Sequence, residues 1–441
     1  MRPQALGLFF LVIATVATAQ WLEKTIYLPD SAGPQMLCYN PLSRKLYCAN
    51  EWNCTITVID GASNAILAHI PVATHPSAIC INSLNKVYCA GENSTLLTVI
   101  DGTGDSVIKT IDIGATSYII GSNPTTNKIY CGGNETPTVI LDGCADTVLK
   151  VLYEESGTYS IWCDPNINKV YIGSAEFWGV RIYDGNADTL LAGIFTQTRF
   201  PSAIIGNPNH PKVYSAGTDC DTIWVIDTHA DTVMRKITVP NRSSVQDLCY
   251  APDYDRLYCA TEREMDAWLM IVDGQTDSLL NLIPVRRFSN FLLYNSINDK
   301  IYYTADSLWV IDAATNQVLK KLYAGRGLTN MAWNPIENRV YVGGKFSNTI
   351  TVFRDSLPSG ITEVNSTLDT PFAPTTVRKV LNLNSEMCNL QSKLALLDIS
   401  GRKVLDLKPG HNDIRHLSPG VYFLMRKNDT ASDSKKILIV R

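Results

Sequence analysis

The chain has 441 residues, is 45% hydrophobic and 18% charged, and carries a net charge of −4. That is enough apolar material for a large core with a small domain to spare, and it excludes an intrinsically disordered chain. The negative balance supplies no electrostatic footprint for nucleic acid or for an anionic membrane.

Residues 1–19 read as a secretory signal peptide. Arg2 supplies the positive end, residues 6–16 the apolar run, and Ala17-Thr18-Ala19 a small-x-small cleavage site. The mature chain would begin near Gln20. The apolar run is short for a membrane-spanning helix, and no later stretch approaches the roughly 20 apolar residues that one needs.

From there to about residue 355 the chain repeats itself. One anchor is a basic residue, an aliphatic residue and a tyrosine: Lys45-Leu46-Tyr47, then the triplets ending at Tyr88, Tyr130, Tyr171, Tyr214, Tyr258, Tyr302 and Tyr341. A second is two apolar residues and an aspartate, ending at Asp60, Asp101, Asp142, Asp184, Asp227, Asp273 and Asp312, with a degenerate eighth copy at Val352-Phe353-Arg354-Asp355. The tyrosines step by 39–44 residues, which is the period of a four-stranded propeller blade. Each repeat reads as four short strands, a to d. Strand a ends in turns such as Asn40-Pro41, b carries the tyrosine, c is the T-V-I-D run, and d follows a turn that mostly begins Asp-Gly. An Asp or Asn stands four residues after the first aspartate, as at Asn64, Asp105 and Asp146. These pairs lack the alternating oxygen ligands of a calcium loop and are expected to cap turn N–H groups at both ends of the hairpin.

A lone four-stranded sheet exposes two apolar faces, and radial stacking buries both. There are eight a-b-c sets but seven d strands between them. Lys24–Leu28 reads as the missing strand d, closing the ring against residues 348–353. The expected fold is therefore all-β: an eight-bladed β-propeller, with seven blades as the alternative. Of the twelve cysteines, Cys38/Cys48, Cys80/Cys89 and Cys249/Cys259 lie on adjacent strands of one repeat. Two readings stay open for them, cross-strand disulfides or small buried apolar residues. No spacing is a zinc motif.

The T-V-I-D-G-x-x-[ND] strand, the K-[VIL]-Y strand and the period resemble the YVTN family of β-propeller repeats over about residues 21–355. The resemblance implies the fold and leaves function open, since related propellers can be enzymes. Strand b departs from the family where Tyr-Cys replaces Tyr-Val.

Residues 356–376, rich in Ser, Thr, Pro and Gly, read as a linker. Residues 377–441 alternate short apolar runs with polar turns, as a small β-sandwich does. Within them Leu397-Asp398-Ile399-Ser400-Gly401-Arg402-Lys403-Val404, then Leu417-Ser418-Pro419-Gly420-Val421-Tyr422-Phe423, then Lys435-Lys436-Ile437-Leu438 resemble a type IX secretion (Por) sorting domain. That resemblance implies passage through the periplasm to the outer cell surface or medium, with the secretion machinery as partner.

No catalytic motif stands out. The six histidines are scattered, and there is no G-x-S-x-G, P-loop or H-E-x-x-H. No catalytic residue, cofactor or metal is therefore assigned. One asymmetry remains. The d-to-a loops of the last four sets carry Arg199, Arg242, Arg286/Arg287 and Arg326, and the b-to-c loops add Trp52, Trp178 and Trp268 beside Glu51, Glu176, Glu262 and Glu264. Guanidinium forks suit carboxylate or phosphate, and indole faces suit sugars or cations. The expectation is a non-enzymatic binding or scaffold protein, with an anionic small molecule, glycan or peptide held on this loop face near the central channel. The alternatives are a propeller hydrolase or lactonase with its site at the channel mouth, and a structural surface-layer component.

Overall fold

A computed structural model of the chain describes residues 21–73, 75–263, 266–286 and 291–355, and beyond them 375–377, 380–383, 393–397, 403–408, 410–415, 417, 420–427 and 432–439. Contacts divide the chain into two units, one spanning Gln20–Asp355 and the other holding Ser356–Arg441. The signal peptide, residues 356–374 of the expected linker and the residues 398–402 and 418–419 of the sorting-like motifs lie outside the described residues, and the last two linker residues belong to the strand Thr375–Val377.

The first unit is an eight-bladed propeller of antiparallel four-stranded sheets. Blade one is Pro34–Asn40, Lys45–Asn50, Thr55–Asp60 and Ile66–Pro71, and blades two to seven begin at Pro76, Ile119, Thr158, Ala203, Ser244 and Leu292. Blade eight takes Leu328–Asn334, Arg339–Gly344 and Thr349–Arg354 from the end of the repeat and Trp21–Tyr27 from its beginning. The register runs from Trp21 opposite Arg354 to Tyr27 opposite Thr349, and Leu28 N–H donates to the Asn348 carbonyl. The ring therefore closes where the strand count required, and the seven-bladed alternative falls away.

The eight strands a pack side by side around the axis, each against the next, so they are innermost. The core consists of slabs between blades. One cluster joins Tyr47, Val58 and Ile79 of blades one and two, another Tyr214, Val225 and Leu248 of blades five and six, and a third Ile26, Leu46 and Val352 across the closure. On every outermost strand the register slips by one residue near its start, as opposite Ile59 and Ile100. Such bulges twist a free edge away from further strand pairing.

The two anchors meet between blades. Lys45 Nζ donates to the carbonyls of Gly102 and Thr103 and to Asp105 of the next blade's c–d turn, at 3.3, 2.9 and 2.8 Å, while Tyr47 OH reaches Gly102 and Asp105. Lys86 grips Asp146, Lys128 grips Asp188, Lys169 grips Asp231, Lys212 grips Asp277, and Arg256 grips Asn316 in the same way. At the closure Arg339 and Tyr341 hold the turn at Gly61–Asn64. Lys300 and Tyr302 take Asp355, so in the degenerate eighth copy this aspartate stands in for the Asp or Asn that lies four residues further on in the other blades. Glu23 adds a fork to Arg339 and Arg354. Burial alone would raise the Glu23 carboxyl, but those two guanidinium groups hold it below its usual value.

This corrects the expectation that both acids cap their own turn. The first acid does so: Asp60 Oδ1 accepts from the Ala62 and Ser63 N–H groups, and turn N–H groups hold Asp142, Asp184 and Asp227 below the usual carboxylate range. The second acid sits in left-handed backbone, φ 54° at Asp105 and 58° at Asp277, and turns its carboxylate to the neighbouring blade. Glycine precedes it because the a–b turn comes close. Gly102 N–H donates to the Asn85 carbonyl at 2.9 Å, and a Cβ there would lie 2.4 Å from that oxygen.

The cysteine question is decided by the pleat. Cys38 stands opposite Tyr47 and Leu37 opposite Cys48; likewise Ile79 faces Cys89, and Leu248 faces Cys259. An offset of one residue puts the two thiols on opposite faces of the sheet. They are free cysteines, and burial pushes the Cys38 and Cys89 thiols up to about 12.

The second unit is a small β-sandwich. Its five-stranded sheet has the order Thr375–Val377, Ser432–Ile439, Gly420–Lys427, Lys393–Leu397, Lys403–Leu407, and its two-stranded sheet pairs Val380–Leu383 with Gly410–Asp413. Leu396 and Ile414 are fully buried in it.

Lys212 and Asp277 are both buried. Asp277→Ala would strand the ammonium and is expected to cost about 3–5 kcal/mol. Asp273→Ala, which only uncaps an exposed turn, should cost about 1 kcal/mol. Urea midpoints of the two variants check the ratio, and equal losses would refute the inter-blade role.

Candidate functional site

The turn face of the ring is occupied by the clamps, which leaves the opposite face, built of d–a and b–c loops. Its irregular feature is an open groove of about 920 Å³ around blades five and six. Gln197 and Thr196 wall it from the loop entering blade five, residues 218–222 from that blade's b–c loop, and Arg242, Ser244 and Gln246 from the entry to blade six. Glu262 and Arg263 close the far side.

Most of this wall is held by internal bonds. Asp219 accepts the backbone N–H groups of Arg199 and Phe200 at 3.0 and 3.3 Å, tying the d–a loop to the b–c loop. Arg263 donates to the Asn241 carbonyl at 2.6 Å. Gln246 donates to Ser244 and Glu262 at 3.2 and 3.1 Å. Lys236 lies over the Trp224 ring at 4.2 Å; Lys321 over Trp309 repeats that pair in blade seven. Arg242 is different. Its side chain is exposed and makes no hydrogen bond or ion pair among the described residues. Its backbone is left-handed, φ 54°, directly after Asn241 at 59°. At the matching place, nine residues before the end of strand a, blades three and eight use Gly114 and Gly325, also at positive φ. A long side chain kept in that conformation is strained.

Beside the groove runs an aromatic arc. Tyr118 and Tyr159 occupy equivalent places, five residues before Asn123 and Asp164, at the loop-face ends of neighbouring innermost strands. The rings of Tyr118 and Tyr159, then of Tyr159 and Phe200, meet edge-to-face at 5.8 and 5.0 Å. The Arg199 guanidinium lies over Phe200 at 5.1 Å.

The other expected site residues are distributed around the ring. Arg286 pairs with Asp306 of its own blade at 3.4 Å, Arg326 is exposed with its N–H on Ser347, and Arg287 and Glu264 lie outside the described residues. Trp52 stacks on Phe346 at 6.0 Å beside Lys345, which pairs with Glu51. Trp178 is exposed in its b–c loop. Trp268 corrects the expectation of a loop residue: Arg256–Arg263 and Asp266–Asp273 are long strands, and it sits on the second, opposite Thr261. The structure thus places Arg242 in the groove and Arg199 over Phe200 of the adjoining arc, and leaves Arg286, Arg326 and the three tryptophans elsewhere. Sequence reasoning missed Asp219, Tyr118, Tyr159 and Trp224; only the two tyrosines left a trace, as an alignable pair before strand a.

Two buried carboxyls bear on the enzyme alternative. Glu155 accepts from Tyr183 OH and Arg181, and burial raises its pKa. Asp247, on the innermost strand of blade six, accepts the N–H groups of Leu248 and of Leu292 in blade seven, each at 2.8 Å, and burial pushes it up to about 7. Among the described residues no three His, Cys, Asp or Glu side chains cluster as a metal site. His69 bonds Thr57, and His210 bonds Asp255 on the turn face.

No protein-family model matches the chain, and no curated protein does. Its fold is similar to that of solved propellers. Sqt1 of Saccharomyces cerevisiae aligns with a TM-score of 0.63 at 9% identity, covering 75% of this chain and 98% of that one. BamB from Moraxella catarrhalis aligns at 0.60 and 13%, covering 76% and 100%. The computationally designed Ika8 protein aligns at 0.59 and 15%, covering 74% and 98%. At these identities the likeness is one of fold alone. No helix among the described residues is long and apolar enough to cross a membrane.

Asp247 makes a pH test. Its native pKa is raised above the ordinary 3.8, so the stability it contributes is complete below that value and is lost as pH rises through about 7. Asp247→Asn is expected to flatten the fall in urea midpoint between pH 5 and 8; an unchanged slope would contradict a protonated native carboxyl.

Proposed function

We propose that the protein is a secreted, non-enzymatic propeller of the YVTN-repeat type that binds an anion-bearing ligand on its loop face and is carried to the cell surface by its C-terminal sandwich. The observation that carries the reading is the unpaired Arg242 in a groove whose remaining charges are internally engaged. A volume of about 920 Å³ is at the upper end of the range for ligand sites, and a free guanidinium supplies a forked donor for a carboxylate or phosphate. The buried carboxyls Glu155 and Asp247 are each tied into local bonds without a histidine beside them, which favours binding over hydrolysis.

The sorting half of the reading rests on the motifs at Leu397–Val404 and Leu417–Phe423 and on the signal peptide. Deleting residues 377–441 is expected to leave the propeller in the periplasm, as seen by fractionation and immunoblotting. Wild-type amounts at the surface or in the medium would remove that half. For the binding half, immobilised full chain is offered acidic glycans, acidic peptides and phosphorylated metabolites at low salt. Retention of one class, released by about 0.5 M salt through screening, is expected; retention of none would refute it.

A further inference from the structure

Resting on the loop-face reading, the lining of the groove can be asked which anion it suits. A phosphorylated ligand brings about two negative charges and is usually met by several converging cations. Here Arg263 is spent on the Asn241 carbonyl and Lys236 on the Trp224 ring. Asp219, Asp221 and Glu262 line the same space and would repel two charges concentrated on one phosphate more strongly than single carboxylates spread one to a sugar along a chain. An acidic peptide would need apolar pockets for its side chains or a free strand edge. The groove offers little apolar surface beyond Trp224 and Cys220, and the outer edge strand that reaches it through Lys236, Thr232–Thr238, carries a bulge that discourages strand addition.

What it does offer is dense in hydroxyl, amide and carboxylate groups: Gln197, Thr218, Thr222, Ser244 and Gln246, together with the three acids. Alternating acceptors and donors of this kind exchange hydrogen bonds with vicinal hydroxyls. Among the described residues Arg242 is the one lining cation with neither a hydrogen bond nor a ring to hold it, which matches a ligand with one carboxylate per binding register. The aromatic arc of Tyr118, Tyr159 and Phe200 continues from the groove through the Arg199 loop that Asp219 ties down, and half-buried ring faces suit the C–H faces of sugars. The groove is open rather than enclosed, so a chain can lie along it.

We propose that this groove binds an acidic oligosaccharide, with the Arg242 guanidinium holding a sugar carboxylate, the acids and Gln246 exchanging hydrogen bonds with hydroxyls, and the Tyr118–Tyr159–Phe200 arc receiving the adjoining residues. The left-handed backbone at Asn241–Arg242 is the conformational cost of presenting that arginine.

The test is isothermal titration of the full chain with uronic-acid tetrasaccharides (tetragalacturonate, tetramannuronate, a hyaluronan tetrasaccharide), with neutral cellotetraose, with tetraglutamate and with inorganic phosphate. At least one uronic tetrasaccharide is expected to bind saturably and cellotetraose to bind more weakly. Arg242→Ala should weaken that binding about tenfold or more, the effect of losing a charge-assisted fork, whereas Arg44→Ala on the turn face should leave it unchanged. Arg242→Gly keeps the test valid if the alanine variant folds poorly. It relieves the left-handed strain, so it is expected to hold the thermal midpoint and lose the same binding. If tetraglutamate or phosphate binds with this Arg242 dependence and the uronic chains do not, the saccharide assignment is overturned while the loop-face reading stands. Uronic binding indifferent to both Arg242 variants overturns the groove as its site, and no binding of any compound overturns both.

Discussion

The structure depends on one repeated act: a basic residue and a tyrosine on the second strand of each blade reach into the c–d turn of the next. Apolar slabs between blades supply cohesion, but they are non-directional and would tolerate sliding. The clamp fixes the angle and the register of neighbouring sheets. It demands a cation at the edge of a hydrophobic slab, and burying one is costly unless every donor is met. Lys45, Lys86, Lys128 and Lys212 each meet two backbone carbonyls and a carboxylate, and the tyrosine hydroxyl of the same strand joins the set. Breaking one member leaves the others desolvated without a partner, so the ring holds together cooperatively.

That arrangement divides labour between the two faces. The turn face is committed to the clamps, the Asx turns and the glycine contacts, and a substitution there is felt in the neighbouring blade. On the loop face inter-blade bonds recur only at some blades among the described residues, as single hydroxyl contacts from Ser160 to Pro201, Ser202 to Val245 and Thr329 to Pro34. The connections on that face range from the single residue between Ser156 and Thr158 to the longer approach from Phe195 to Ala203. Variation there costs the ring little, and binding surfaces arise most readily on such loops. The closure follows the same logic. Pairing Trp21–Tyr27 with Thr349–Arg354 ties the two ends of the repeat together, and Glu23 joins the clamp of Arg339 to the last strand.

Legibility followed from locality. The b-strand triplet and the T-V-I-D run are contiguous and periodic, so blade number, strand order and the closing strand could be read from spacing alone. The partner of the second acid could not. Lys45 and Asp105 are separated by 60 residues, and a turn-capping role explains the same residue type equally well from within one repeat. The cysteine pairs were decidable in principle, because an offset of one residue across a ladder places thiols on opposite faces; what was missing was the register. Trp268 was misplaced because blade six extends its central strands beyond the consensus length. The groove had no linear signature, since its walls come from two d–a loops, one b–c loop and a strand end.

The departures from the repeat are themselves informative. Blades five and seven replace the turn glycine by Thr228 and Ala313, blade six replaces Asn-Pro by Ala251-Pro252, and blades two and seven replace it by Asn82-Ser83 and Asn295-Ser296. Tyr171, whose ring points at the irregular turn of blade five, is the clamp tyrosine whose hydroxyl finds no partner among the described residues. Tyrosines 171, 214, 258 and 302 are spaced 43, 44 and 44 apart, against 39–42 elsewhere. Only blade six gives up a local bond, the cap that Asn or Asp supplies elsewhere; Asn295 still accepts from the Ile297 and Asn298 N–H groups, and Thr228 N–H still donates to the Pro211 carbonyl. Local rules are broken where another demand competes with folding, and here all the breaks but that of blade two lie in blades five to seven, around the groove and the strained Arg242. The same half of the ring carries the arginine loops. The irregular half is thus where the sequence departs from its own repeat to present side chains to something other than itself.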